Sequence, residues 1–136
     1  MAVISYRRLL LLGALLEACL SMAACAEKLS PSPGLQLIEN ARQTGLPTIV
    51  EFGATSCTTC RNMKPILEAT ALELQGRAHV IVIDLNQDYA AAGPFNIRMM
   101  PTQIFFAADG REIERHPGGM AQPEIVRQLG FTEDCD

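Results

Sequence analysis

Apolar positions along the chain change period several times, and each change marks an element. Leu35, Leu37, Ile38 and Ala41 recur at helical spacing, and Gly45-Leu46-Pro47 ends that helix. Thr48 to Phe52 (TIVEF) is β-branched and apolar, which predicts a buried strand carrying one acid. Thr59 to Leu74 returns to helical spacing, with Met63, Ile66, Leu67, Thr70, Ala71 and Leu74 on one stripe. Pro65 removes a backbone donor inside this helix and predicts a kink. Ala78 to Leu85 (AHVIVIDL) is apolar without alternation, which predicts a central strand buried on both faces. A short helix is expected over Ala90 to Phe95. Gln103 to Ala107, a turn at Ala108-Asp109-Gly110, and Arg111 to His116 predict a β-hairpin, and Gln122 to Leu129 a closing amphipathic helix. The order α-β-α-β-α-β-β-α is that of an α/β layered sandwich. Its first two strands are joined by a helix and should run parallel.

The N-terminus follows a different pattern. Arg7 and Arg8 precede the run Leu9 to Leu16, and small residues follow from Ser21 to Ala26. Charge, apolar block and small residues in that order read as an export signal over residues 1–26. The alternative is an uncleaved membrane anchor, but about 20 apolar residues are needed to span a bilayer and Glu17 interrupts this run. Ala24-Cys25-Ala26 fits ordinary cleavage before Glu27, whereas Met22-Ala23-Ala24-Cys25 resembles a bacterial lipobox in which Cys25 would carry lipid. Residues 27–34 form a polar tether broken by prolines, residues 35–131 the domain, and residues 132–136 a polar tail.

Composition narrows the function classes. A chain of 136 residues, 49% of them hydrophobic, fits one domain rather than two and does not read as disordered. A net charge of -4 and the absence of tryptophan argue against a nucleic-acid partner, which needs clustered cations and stacking surfaces. A membrane is met only through the signal or a lipid on Cys25. The five cysteines cannot all pair internally, so at least one thiol has another fate.

Two of them, Cys57 and Cys60, stand three apart between a buried strand and a helix. That spacing places both on one helix face, within reach of a disulfide. At the helix N-terminus, unpaired amides and the macrodipole favour a thiolate on Cys57, the attacking species in disulfide exchange. Cys60, one turn inward, is less exposed and suited to resolving a mixed disulfide. The same pair could be an inert structural bridge or half of a metal site. Zinc would need two further ligands, and His79, His116 and Cys135 lack metal-ligand spacing, so no metal site is expected. Both histidines read as surface residues.

Residues 35 to 130 resemble the thioredoxin family. The resemblance rests on Ile49-Val50-Glu51-Phe52 ahead of the cysteine pair, Pro65 five residues after Cys60, Met100-Pro101-Thr102, Phe105-Phe106 with Asp109-Gly110, and Gly118-Gly119. It implies a thioredoxin-like fold: a single α/β domain with a central mixed β-sheet flanked by helices. It also implies Cys57 as nucleophile, Cys60 as resolving cysteine, and a cis Pro101 that sets the Met100 backbone against the substrate chain. Thr58, Thr59, Gly118 and Gly119 would line the substrate surface. Glu51 takes the place of the family's buried aspartate, where it could exchange the Cys60 proton through water; on an edge strand it would instead face solvent.

The implied activity is protein thiol–disulfide exchange with no cofactor beyond the dithiol. Similarity to envelope reductase domains implies reduction in the periplasm or at the periplasmic face of a membrane, with electrons from a membrane electron-donor protein, whereas an oxidising compartment alone would favour oxidation. The rival readings are a non-catalytic binding module of the same fold and a metal chaperone using the cysteine pair. Departures from the family are Gly53 and Ser56 in place of tryptophans, which implies a more open and less apolar site. Val82 stands in place of a lysine, Thr58-Thr59 in place of Gly-Pro, and Cys135 has no counterpart.

Overall fold

The computed structural model describes residues 31–132, so the expected signal over 1–26, residues 27–30 of the tether and residues 133–136 of the tail, with Cys135, lie outside it. Helix α1, Pro33–Arg42, opens on Ser32, whose hydroxyl accepts from the Leu35 amide at 3.3 Å, with proline in its first turn. It buries Ile38 and Ala41. Gly45, at φ +79°, turns the chain into strand β1, Thr48–Gly53, all six residues of which are buried.

Helix α2, Thr58–Glu73, runs from Cys57 as its N-cap and carries Pro65 within it. It buries Cys60, Met63, Leu67 and Thr70, whereas Ala71, expected on the same stripe, faces solvent. Strand β2, His79–Asp84, lies parallel to β1, as the helical crossover requires. A 3-10 segment, Tyr89–Phe95, takes the place of the expected short helix and ends at Asn96 in the left-handed region. Strands β3, Thr102–Phe106, and β4, Glu112–Pro117, form the antiparallel hairpin, and α3, Gln122–Gln128, closes the domain.

The sheet order is β2-β1-β3-β4, mixed, with β1 and β3 central. Alternation along these strands feeds two cores. Val50, Phe52, Ile81, Ile83, Ile104 and Phe106 pack with α1 and the 3-10 segment. Ile49 and Phe105 pack on the other face with Met63, Leu67, Ile125 and Val126 from α2 and α3. Strand β2 corrects the expectation of a strand buried on both faces. Among the described residues it pairs only with β1, and Val82 is 55% exposed. Its apolar run is continuous, but only one face is covered along its whole length: Ile81 and Ile83 are buried in the α1 core, while Val82 stays exposed.

Candidate active site

The site forms where β1 ends and α2 begins. The Cys57 amide donates to the Ala54 carbonyl at 3.0 Å, closing the turn that carries the chain off the strand. Arg61, one turn into α2, donates to the Thr55 carbonyl at 3.1 Å and to Thr58 Oγ1 at 3.0 Å. Its guanidinium thus braces both sides of Cys57 and sets a positive charge beside the loop. Asn86 adds a third brace, donating from Nδ2 to Thr55 Oγ1 at 3.1 Å.

Cys57 and Cys60 are joined as a disulfide, with Cα atoms 5.3 Å apart. The two sulfurs are unequally placed. Cys57 is half-buried at the N-cap, where its Sγ accepts from the Cys60 amide at 3.2 Å. Cys60 is 7% exposed on the inner face of the helix. Helix-terminal amides and the nearby guanidinium favour a thiolate on the outer sulfur once the bond is reduced.

A second loop meets the outer sulfur. The Met100–Pro101 peptide is cis, and the Met100 carbonyl oxygen lies 3.9 Å from Cys57 Sγ. Thr102 Oγ1 donates to the Met99 carbonyl at 2.8 Å, and the Gly118 amide donates to the Pro101 carbonyl at 2.8 Å, so the loop is pinned from both sides. Gly118 holds φ +100°, and a side-chain carbon on Gly119 would touch Thr59 Cγ2 at 3.5 Å. Thr58, Thr59, Met100, Gly118 and Gly119 therefore gather around the disulfide. Thr58, Thr59 and Met100 are exposed beside it.

Beneath the inner sulfur lies Glu51. It sits on central β1, not at an edge, and is 2% exposed. Burial raises its pKa above the ordinary carboxylate value, and a hydrogen bond from Gln103 partly offsets the rise. Gln103 Nε2 donates to Glu51 Oε2 at 3.0 Å. A side-chain carbon on Gly53, the next residue on the same face of β1, would stand 3.3 Å from Cys60 Sγ and 3.4 Å from Glu51 Oε1. The carboxyl and the inner sulfur thus face each other across a residue with no side chain.

Beside this gap opens a pocket of about 340 Å³, bordered by Gly53, Cys60, Lys64, Val82, Ile83 and Asp84. Its walls are mainly apolar, although the loss of an aromatic side chain at residue 53 suggested a less apolar site. Gln103 is the neighbour that sequence reasoning missed. A polar residue inside Gln103-Ile104-Phe105-Phe106 is the signal that could have found it.

Among the described residues, no group of three or more histidines, cysteines and carboxylates is set to hold a metal. His79 is hydrogen-bonded to Thr44 Oγ1, and His116 Nε2 lies 3.2 Å from the Gly119 carbonyl oxygen. The thioredoxin family model matches residues 36–130. The chain belongs to the thioredoxin family.

Relatives agree with that assignment. A thioredoxin-like protein of Synechocystis sp. is 32% identical over 83 residues, covering 61% of this chain and 78% of the relative. A thioredoxin of Staphylococcus aureus is 30% identical over 81 residues, covering 60% and 77%. Among solved structures, thioredoxin from Fasciola hepatica superposes with TM-score 0.59 at 30% identity, covering 71% of this chain and 88% of that one. Chloroplastic thioredoxin z superposes with TM-score 0.63 at 27% identity, covering 70% and 85%. As a thioredoxin-family protein with a Cys57/Cys60 pair, the chain is a thiol–disulfide oxidoreductase acting on protein thiols and disulfides.

Proposed function

We propose that this thioredoxin-family protein is an exported reductase of the bacterial cell envelope, using the Cys57/Cys60 dithiol as its only redox group. The carrying observation is the asymmetry of the two sulfurs: Cys57 half-open beside the Met100 carbonyl, Cys60 buried across Gly53 from Glu51. The Cys57 thiolate attacks a substrate disulfide, forming a mixed disulfide and releasing one substrate thiolate. Glu51 takes the Cys60 proton, and the Cys60 thiolate then attacks Cys57 Sγ. The bond between Cys57 and the substrate breaks, the second substrate sulfur leaves, and the Cys57–Cys60 disulfide forms. Two electrons have passed to the substrate, and a membrane electron-donor protein restores the dithiol. The Met100–Pro101 loop offers the substrate backbone a short strand-like contact, with Thr58, Thr59, Gly118 and Gly119 around it.

Export is supported by the order of Arg7 and Arg8, Leu9 to Leu16, and Ser21 to Ala26. Mass spectrometry of the chain from bacterial envelopes should find cleavage before Glu27 or a lipid on Cys25. A chain recovered with residues 1–26 intact contradicts export by this signal.

Activity is tested with insulin, whose disulfides report turnover as precipitation of the freed chain. With dithiothreitol restoring the dithiol after each cycle, the wild type should turn over, and Cys57→Ser should abolish activity above the dithiothreitol background because no attacking sulfur remains. Cys60→Ser should leave a trapped mixed disulfide through Cys57, visible on a non-reducing gel. Wild type that neither turns over nor traps a substrate contradicts the reading and favours a non-catalytic binding module.

A further inference from the structure

We propose that Gln103 is a positioning residue for proton exchange at Cys60, holding one Glu51 oxygen so that the other faces the resolving cysteine across Gly53. The proposal rests on the oxidoreductase reading above. Three observations carry it.

The antiparallel register of β1 and β3 sets Glu51 directly opposite Gln103, and both side chains are buried. The amide donates to Oε2 alone, at 3.0 Å, which leaves Oε1 as the oxygen on the Gly53 side. Oε1 and Cys60 Sγ both lie within 3.4 Å of the point where a side chain on residue 53 would begin, and glycine places nothing between them. A proton passes between sulfur and oxygen there through one water molecule.

The third observation is the other end of the amide. Gln103 Oε1 is buried and has no hydrogen-bond partner among the described residues. A buried acceptor left alone is costly, so it requires a reason. The reason is the N–H that the same side chain gives Glu51. As a carboxylate it only accepts, and the amide N–H serves it. Once Glu51 Oε1 has taken the Cys60 proton, Oε2 remains an acceptor, and the same amide N–H keeps hold of it, less strongly than it holds the carboxylate. One uncharged side chain thereby partners both protonation states, which leucine cannot do.

Few other charges reach this carboxyl. Val82 stands beside Glu51 on β2, and Cys60 faces it from α2. Arg61, Lys64, Glu68 and Asp84 line the adjoining pocket. His116 is the β4 partner of Gln103, one strand further out.

The test is the pH profile of mixed-disulfide resolution, measured in a single turnover of the reduced protein with a disulfide peptide. The wild-type rate should fall on the acid side, where Glu51 is protonated. In Gln103→Leu the charged form loses its donor, so this limb should move to higher pH. On the limb, resolution should slow roughly tenfold, the scale of a hydrogen bond to a charged group. Alkylation of Cys57 by iodoacetamide, which involves neither Glu51 nor Cys60, should keep its rate. Gln103→Met, which retains the unbranched stem, should give the same shift and decides the question if the leucine variant misfolds. In Glu51→Gln the acid limb should vanish, and adding Gln103→Leu should change nothing more.

An unmoved limb in a folded, active variant overturns the proposal alone, as does an equal loss at every pH, the mark of a merely structural role. A wild type that reduces no disulfide overturns the oxidoreductase reading and this proposal with it.

Discussion

Glu51 sits on a central strand with its carboxyl out of water, so its proton leaves less readily than that of an exposed glutamate. The folded-state pKa lies above the ordinary value of 4.5 that the unfolded chain keeps. Below that ordinary value both states are protonated, and the stability Glu51 contributes is intact. As pH rises from there through the folded value, ionisation costs the folded state more than the unfolded state, and that stability is lost. Glu51→Gln has no proton to lose. Its stability relative to wild type should therefore increase as pH rises through this window, read from urea midpoints at a series of pH values. A constant difference between the two proteins would contradict a raised pKa. An acid inside Thr48-Ile49-Val50-Glu51-Phe52 is conspicuous in the sequence alone. Its partner was not legible, because Gln103 lies 52 positions away and meets it only through the β1–β3 register.

At the scale of elements, the cysteine spacing was readable because it is local: strand, turn and helix lie within about a dozen residues. The misreading of β2 has the opposite cause. A continuous apolar run says that a strand prefers burial, but not which neighbours arrive to cover it. Val82 lies next to the pocket beside Gly53 and remains exposed. The hairpin shows a further contact that no local pattern records. Gly110 holds φ +80°, and a side-chain carbon there would lie 2.7 Å from the backbone oxygen of Arg42. Arg42 in turn donates from Nε to the Gly110 carbonyl at 2.8 Å and lays its guanidinium over the Phe106 ring at 4.6 Å. This one contact ties the end of α1 to the β3–β4 turn. Gly110→Ala adds a left-handed backbone cost of about 1–2 kcal/mol to the clash with a backbone atom. The variant should unfold roughly 4–8 °C lower for each kcal/mol lost, by calorimetry or circular dichroism. An unchanged melting temperature would show that the helix end moves aside freely.

For the whole molecule, one mixed sheet carries two cores, and the active site stands at the end of its central strand. The scaffold holds the disulfide rigidly from below, through β1 and α2, and leaves the Met100–Pro101 side open to a protein chain. Fold and cysteine pair belong to the thioredoxin family. Direction of electron flow is the claim most specific to this protein, because Thr58-Thr59 replaces the family's usual dipeptide and Gly53 opens the site beside Cys60. The reduction potential of the Cys57/Cys60 couple tests that claim most directly, measured by equilibration with defined dithiothreitol or glutathione buffers. A reductase should equilibrate near thioredoxin, at about -270 mV, whereas a value near about -120 mV would mark an oxidant and contradict the account.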